Sequence, residues 1–231
     1  MALKKSDISL PFINRSAAGE LLGDALQSYA NRTDTIILAL PRGGVPVGFE
    51  VAKALNAPLD LMLVRKLGVP GRRELAMGAI ASGGARVLNQ DVVAAYKISA
   101  ETIDQVAADE EMELQRRYQA YRDDLPAPEL NNRCVILVDD GIATGATMRA
   151  AVAALRQTGA SEIIVAVPIG ASETLETLQN EADEVVCLAV PDMLFSIGQW
   201  YTDFTQVSDE EVCKLLASLS QETIKNVDTV E

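Results

Sequence analysis

The sequence predicts an α/β fold in which a mostly parallel, twisted sheet is flanked by helices, and three observations predict it. Short β-branched apolar runs alternate with segments of helical periodicity, the pattern of strands joined by crossover helices. The runs are continuous and apolar, as strands buried on both faces should be. Two of them end in glycine-containing turns that lead into helical patterns, the place where open α/β sheets bind ligands.

The predicted strands, in order, are Thr35 to Leu40, Leu59 to Val64, Ala76 to Ser82, Cys134 to Asp139, Glu162 to Val167 and Glu184 to Ala189. After the first, Val47, Val51, Ala54 and Leu55 recur at helical spacing, and the helix stops near Asn56 and Pro58. After the fourth, Met148, Ala151, Val152 and Leu155 do the same, with Gly159 as the stop. Between them, Ser99 to about Arg122 breaks the rhythm with a long charged helix, and Ile103, Val106, Ala107, Leu114, Tyr118 and Tyr121 draw a narrow apolar stripe along it. At 1.5 Å per residue such a helix spans roughly 35 Å, more than a crossover needs. It reads either as an inserted arm or cap, in which case its stripe needs a partner and a homodimer would supply one, or as a solvated crossover helix with i,i+4 charge pairs. Pro126 and Pro128 end it. The expected organisation is a single domain over 1–231, with a helical insertion at about 90–130 and a separate C-terminal segment at about 191–231.

The chain has 231 residues, 48% of them hydrophobic, enough for a sizeable core. It has no histidine, which excludes a Ser-His-Asp triad, a Cys-His pair and His-ligated zinc. Acid-base work falls to Asp, Glu, Lys or Tyr. Asp and Glu number 33 against 20 Lys and Arg, a net charge of −13, which argues against nucleic acid and against anionic membranes as partners. Lys4 and Lys5 precede no apolar signal region, and no run reaches the roughly 20 residues of a membrane span, so a cytoplasmic protein is expected. Cys134, Cys187 and Cys213 are odd in number, widely spaced and set among apolar residues, which suits reduced packing residues.

The richest string is Cys134-Val-Ile-Leu-Val-Asp-Asp-Gly-Ile-Ala-Thr-Gly-Ala-Thr147, a strand that delivers two acids into a turn opening a helix. Gly141 and Gly145 let backbone amides converge, Thr144 and Thr147 add hydroxyls, and a helix N-terminus favours an anion, so a phosphate fits the 141–147 turn. For Thr144 a plain helix cap is the competing reading. No Walker lysine and no G-x-G-x-x-G is present, so nucleoside triphosphate and dinucleotide sites lack support. Asp139 and Asp140 beside a phosphate repel it unless they accept hydroxyl hydrogen bonds or meet a divalent cation. A sugar diol does the first and Mg2+ the second, and the two acids with the turn describe a ribose phosphate.

This string resembles the signature of the type I phosphoribosyltransferases, which act on 5-phosphoribosyl-1-pyrophosphate (PRPP) with Mg2+. Leu40-Pro-Arg-Gly-Gly44 agrees with it, resembling that family's pyrophosphate loop, and implies that Pro41, Arg42, Gly43 and Gly44 bind diphosphate. The basic run Arg65 to Glu74 matches the family's mobile loop in position, making Lys66, Arg72 and Arg73 the candidates for neutralising the leaving group, or else a solvated loop.

The resemblance implies the type I phosphoribosyltransferase fold, a Rossmann-like sheet with a small C-terminal hood over the base. It implies transfer of the ribosyl 5-phosphate group to a nitrogenous base in nucleotide metabolism, with release of pyrophosphate. Carried over residue by residue, it places Asp139, Asp140, Arg42 and Lys66 at the chemistry and Gly141, Ile142, Ala143, Thr144, Gly145, Ala146 and Thr147 on the 5′-phosphate. Asp139 and Asp140 also become the metal-facing acids, with Mg2+ as the cofactor. Ala143 stands where hypoxanthine-guanine enzymes have an aspartate, so no general base is expected there. In the hood segment, Phe195, Trp200 and Tyr201 either stack on the base or pack the core. Phe12 to Leu26 either completes the hood or lies beneath the sheet. A PRPP- or nucleotide-binding regulatory protein without catalysis is the alternative function.

Overall fold

The computed structural model describes residues 9–82, 85–122 and 127–227. The chain opens with α1 (Arg15–Ala25), then β1 (Thr35–Ala39), α2 (Gly44–Leu55) and β2 (Leu59–Leu61). It continues through β3 (Val64–Val69), β4 (Arg72–Ala81), β5 (Arg86–Leu88), α3 (Gln90–Ala95) and α4 (Ala100–Arg122). Then come β6 (Cys134–Val138), α5 (Ala146–Leu155), β7 (Glu162–Ile169), α6 (Ser172–Gln179), β8 (Glu184–Ala189) and α7 (Asp209–Val227).

Five strands form one parallel sheet in the order β2-β1-β6-β7-β8. Every residue of β1 and β6 is buried, which is why their sequences carry no polar face. Alternate residues divide between the two sides. Ile37, Ile136 and Ile164 face Leu22 of α1 and Val47 and Val51 of α2, while Leu38, Leu137 and Val165 face Met148 and Val152 of α5 and Leu178 of α6. From β1 the chain turns to one side to lay down β2 and returns to the other to lay down β6. The strand order therefore reverses between β1 and β6, and the crevice at their carboxyl ends is the ligand position of such sheets.

The segment from Val64 to Arg122 differs from the sequence expectation. The predicted strand Leu59 to Val64 splits: Leu59–Leu61 pairs with β1, and Val64 already belongs to β3. The predicted third strand, Ala76 to Ser82, is the second half of β4 and lies in a separate antiparallel sheet ordered β3-β4-β5. The basic run read as a loop is a hairpin. Val69 pairs with Arg72 across a Pro70-Gly71 turn, in which Gly71 has φ +76° and proline pre-sets the preceding corner. Helix α4 matches its predicted span. Its stripe is covered within the chain, because Ile103, Ala107 and Leu114 pack on Leu67, Val69, Met77 and Ile80 of the hairpin. The reason offered for a homodimer through this stripe is thereby removed.

The far end of α4 is tied to the main sheet. Arg122 donates to Asp60 of β2 at 3.0 Å and to the Tyr118 hydroxyl, and Tyr121 donates to Asp209 at 2.6 Å. Helix α7, which falls within the predicted hood segment, packs through Val212 against Val45 of α2 and Leu61 of β2. Cys134, Cys187 and Cys213 are all free thiols.

Candidate active site

The two glycine turns meet at the reversal point. Leu40 donates its amide to the Val138 carbonyl at 2.9 Å, extending the β1–β6 register up to the acids. The Pro41–Arg42 peptide is cis. A Cβ on Gly43 would stand 2.1 Å from Oδ2 of Asp140, and one on Gly44 would stand 2.7 Å from the Val138 carbonyl oxygen. Only glycine allows this turn to lie flat against the acids.

Asp140 is held from three directions. Arg15, at the start of α1, donates from Nε to Oδ2 at 2.7 Å, with the two side chains 11% and 14% exposed. The same guanidinium lies 3.8 Å from the Phe204 ring centroid and donates to the Thr205 carbonyl at 2.8 Å. The Tyr201 hydroxyl donates to the Asp140 carbonyl at 2.6 Å. Asp139 accepts the Asp140 amide at 2.8 Å. Burial, and then the charge of Asp140, hold the Asp139 carboxyl well above the usual carboxylate range. Burial also raises Asp140, and the bond from Arg15 opposes that without cancelling it.

Beyond the acids the turn is pinned at its edges and open at its centre. Ile142 donates to the Ile169 carbonyl at 2.9 Å and accepts from Ala171 at 2.9 Å, while Thr174 Oγ1 donates to the Ala143 carbonyl at 2.7 Å. Gly145, with φ +70°, heads α5 without a side-chain cap. Thr144 is therefore not the helix cap, and its hydroxyl, like Ala146 and Thr147, is exposed. Uncapped amides with two surface hydroxyls suit an anion.

The remaining predicted residues scatter. Arg42 lies at the crevice, with its guanidinium 3.8 Å from Asp209 of α7. Lys66 lines a separate groove between the hairpin sheet and α5 that also reaches Thr147. Arg72 is exposed on the hairpin, with its guanidinium over Tyr96 at 5.5 Å. The backbone of Arg73 belongs to β4, and its side chain lies outside the described residues.

The aromatic trio separates as well. Tyr201 is only 5% exposed, its ring packed on Phe12 and Phe204, so it supports Asp140 and offers no face to a base. Trp200 packs against the core that α1 covers, whereas Phe195 is 78% exposed. The N-terminal segment packs beneath the sheet, with α1 against α2, and it carries Arg15 to Asp140. Sequence reading passed over Arg15 because nothing local marks it.

For Mg2+, the described residues offer no cluster of three or more ligating side chains. Asp139 and Asp140 follow β6 at the strand-order reversal, and Asp140 is bound to Arg15. That set fits an ion held by one or two carboxylates with the rest of its shell from phosphate and water. Among the described residues no helix is long and apolar enough to cross a membrane.

Comparison with known proteins agrees with this geometry. The chain is 48% identical over 205 residues, 89% of its length, to two Mycobacterium tuberculosis proteins, from strains CDC 1551 and H37Rv, provisionally named phosphoribosyl transferases. It spans 46% of the length of those relatives. The crystal structure of TT1426 from Thermus thermophilus superposes with a TM-score of 0.80 at 40% identity, covering 90% of this chain and 98% of that one. Residues 13–204 match the phosphoribosyl transferase domain, and the chain belongs to that family.

Proposed function

We propose that the chain transfers the ribosyl 5-phosphate group of PRPP to a nitrogenous base and releases pyrophosphate, with Mg2+ as cofactor. The observation that carries this reading is the contact of the Arg42-Gly43-Gly44 turn with Asp139 and Asp140 at the strand-order reversal, beside an uncapped helix start. One crevice thereby offers a guanidinium for a diphosphate, two carboxylates for the ribose hydroxyls and amides for the 5′-phosphate.

In the reaction the bond from the anomeric carbon to the diphosphate oxygen breaks, a bond from a base nitrogen forms, and the proton on that nitrogen passes to solvent. Arg42 receives the leaving diphosphate, and the 141–147 turn anchors the far end of the sugar. Asp139 and Asp140 orient the ribose and balance positive charge at the anomeric carbon. Mg2+, when bound, neutralises part of the diphosphate charge.

The test is pyrophosphate release from PRPP and Mg2+ against a pooled panel of purines, pyrimidines and nicotinate-like bases. Asp140→Asn, which keeps shape and removes charge, is expected to slow turnover on the order of 10²–10³-fold. Near-normal turnover in that variant refutes the role. One observation favours the second reading, a PRPP- or nucleotide-binding regulatory protein: with Tyr201 in the core and Trp200 partly buried against it, Phe195 is the one of the three aromatics that stands largely exposed. PRPP binding with no pyrophosphate release for any base would establish it.

A further inference from the structure

A cavity of about 360 Å³ lies between the Arg42 turn and α4. Its walls carry four arginines, Arg42, Arg65, Arg116 and Arg117, against one carboxylate, Asp209, with Tyr121 beside it. In a chain of net charge −13 this is a local reversal of sign, and converging cations favour an anion between them.

The carboxylates on these arginines leave donors over. Arg116 and Arg117 share the single carboxylate of Glu113, Arg116 through two donors at 2.8 and 3.0 Å and Arg117 through one at 2.9 Å. Arg117 gives Glu113 its Nε, and a guanidinium carries five N–H donors. Arg42 stands 3.8 Å from Asp209, which is itself 67% exposed. Arg65 is held more closely, 2.5 Å from Glu110. The basic residues expected to neutralise the leaving group do not compete for this place, because Arg72 faces Tyr96 and Lys66 lines the groove on α5.

We propose, resting on the transfer reaction above, that α4 is the second wall of the diphosphate site. Arg116 and Arg117 close on the diphosphate of PRPP from the side opposite Arg42, and Asp209 releases Arg42 to the same anion. The stripe of α4 on the hairpin fixes where these guanidinium groups stand, so the long helix is a cover built into the fold. The guanidinium donors not spent on Glu113 and Asp209 are the ones a phosphate edge accepts.

The experiment is calorimetric titration of the full chain with inorganic pyrophosphate and Mg2+, and separately with PRPP and with ribose 5-phosphate. The Arg116→Ala/Arg117→Ala double variant is expected to bind pyrophosphate about tenfold to a hundredfold more weakly. Its affinity for ribose 5-phosphate, whose phosphate goes to the 141–147 turn, stays within about twofold. Arg117→Lys, which keeps the charge and loses the fork, falls between. Asp209→Asn binds pyrophosphate more tightly than the parent chain.

Both arginines are more than half exposed, so truncating them opens no core, and an unchanged melting temperature verifies the fold. Equal pyrophosphate affinity in the parent and the double variant overturns the assignment of α4 and leaves the transfer reaction standing. A parent chain that binds neither pyrophosphate nor PRPP overturns both.

Discussion

Replacing Arg15 by alanine tests whether Asp140 is a prepared site carboxylate or a surface acid with a chance partner. The perturbation removes the 2.7 Å bond to Oδ2 and the 3.8 Å contact with the Phe204 ring, between side chains only 11% and 14% exposed. Breaking a fully buried pair costs about 3–5 kcal/mol and an exposed one under about 1, so a mostly buried pair should lose roughly 2–3 kcal/mol. For a chain of this size that corresponds to a fall in melting temperature of roughly 4–12 °C.

The loss should depend on pH. Burial already raises Asp140 above the ordinary carboxylate value, and without Arg15 it rises further. A carboxyl raised on folding contributes most to stability when protonated, and that contribution is lost as pH climbs through its folded value. The variant should therefore sit closer to the parent at about pH 5 than at about pH 8. A double-mutant cycle with Asp140→Asn, followed by thermal melts at both pH values, should give a coupling of about 1–3 kcal/mol at the higher pH. Equal losses at the two pH values together with no coupling would refute the electrostatic account and leave Arg15 as a packing residue.

Asp60, buried on β2 and pushed up to about 6 by burial against the pull of the Leu61 amide and Arg122, should make stability fall as pH rises from about 4 to about 6. Asp60→Asn should flatten the denaturation midpoint across that window, and an unchanged slope would show that Asp60 does not titrate there. Gly43→Ala should keep the sheet's circular dichroism yet lower turnover on the order of 10²-fold, because its Cβ would stand 2.1 Å from Oδ2 of Asp140. Tyr201→Phe, which gives up the 2.6 Å bond to the Asp140 carbonyl, should cost about 1 kcal/mol of stability. Phe195→Ala should shift stability by less than about 0.5 kcal/mol and raise KM for the base alone. An unchanged KM would take Phe195 out of the base site.

The parallel sheet was legible because its strands are buried on both faces: a run such as Cys134 to Val138 has no other use in a protein of this composition. The hairpin was hidden by its charge. Leu67, Val69 and Met77 alternate into its core, and Pro70-Gly71 is a turn signal, yet the density of basic residues in the sequence, Arg65, Lys66, Arg72 and Arg73, makes the stretch read as a loop. At the site, the two glycine turns could be read because ligand-facing backbone leaves a mark in sequence. Arg15 could not, because it meets Asp140 across 125 residues and no spacing encodes that pairing. Tyr201 was left with two readings for the opposite reason: an aromatic near a predicted hood looks the same whether its ring faces a ligand or the core.

The two halves of the crevice are built to different degrees of rigidity, and the proposed chemistry explains why. The acids are fixed: Arg15 grips a carboxylate oxygen, Tyr201 grips the backbone behind it, and the glycine turn leaves no clearance in front. Three of the arginines have exposed or shared partners, Arg116 and Arg117 on one carboxylate and Arg42 on a mostly exposed one. A sugar whose anomeric carbon becomes positive gains from negative groups that do not have to move, since stabilisation that is already oriented costs no reorganisation at the transition state. A diphosphate that must enter intact and depart as a separate product gains from the reverse arrangement, in which exposed guanidinium groups exchange one anion for another and then let it go.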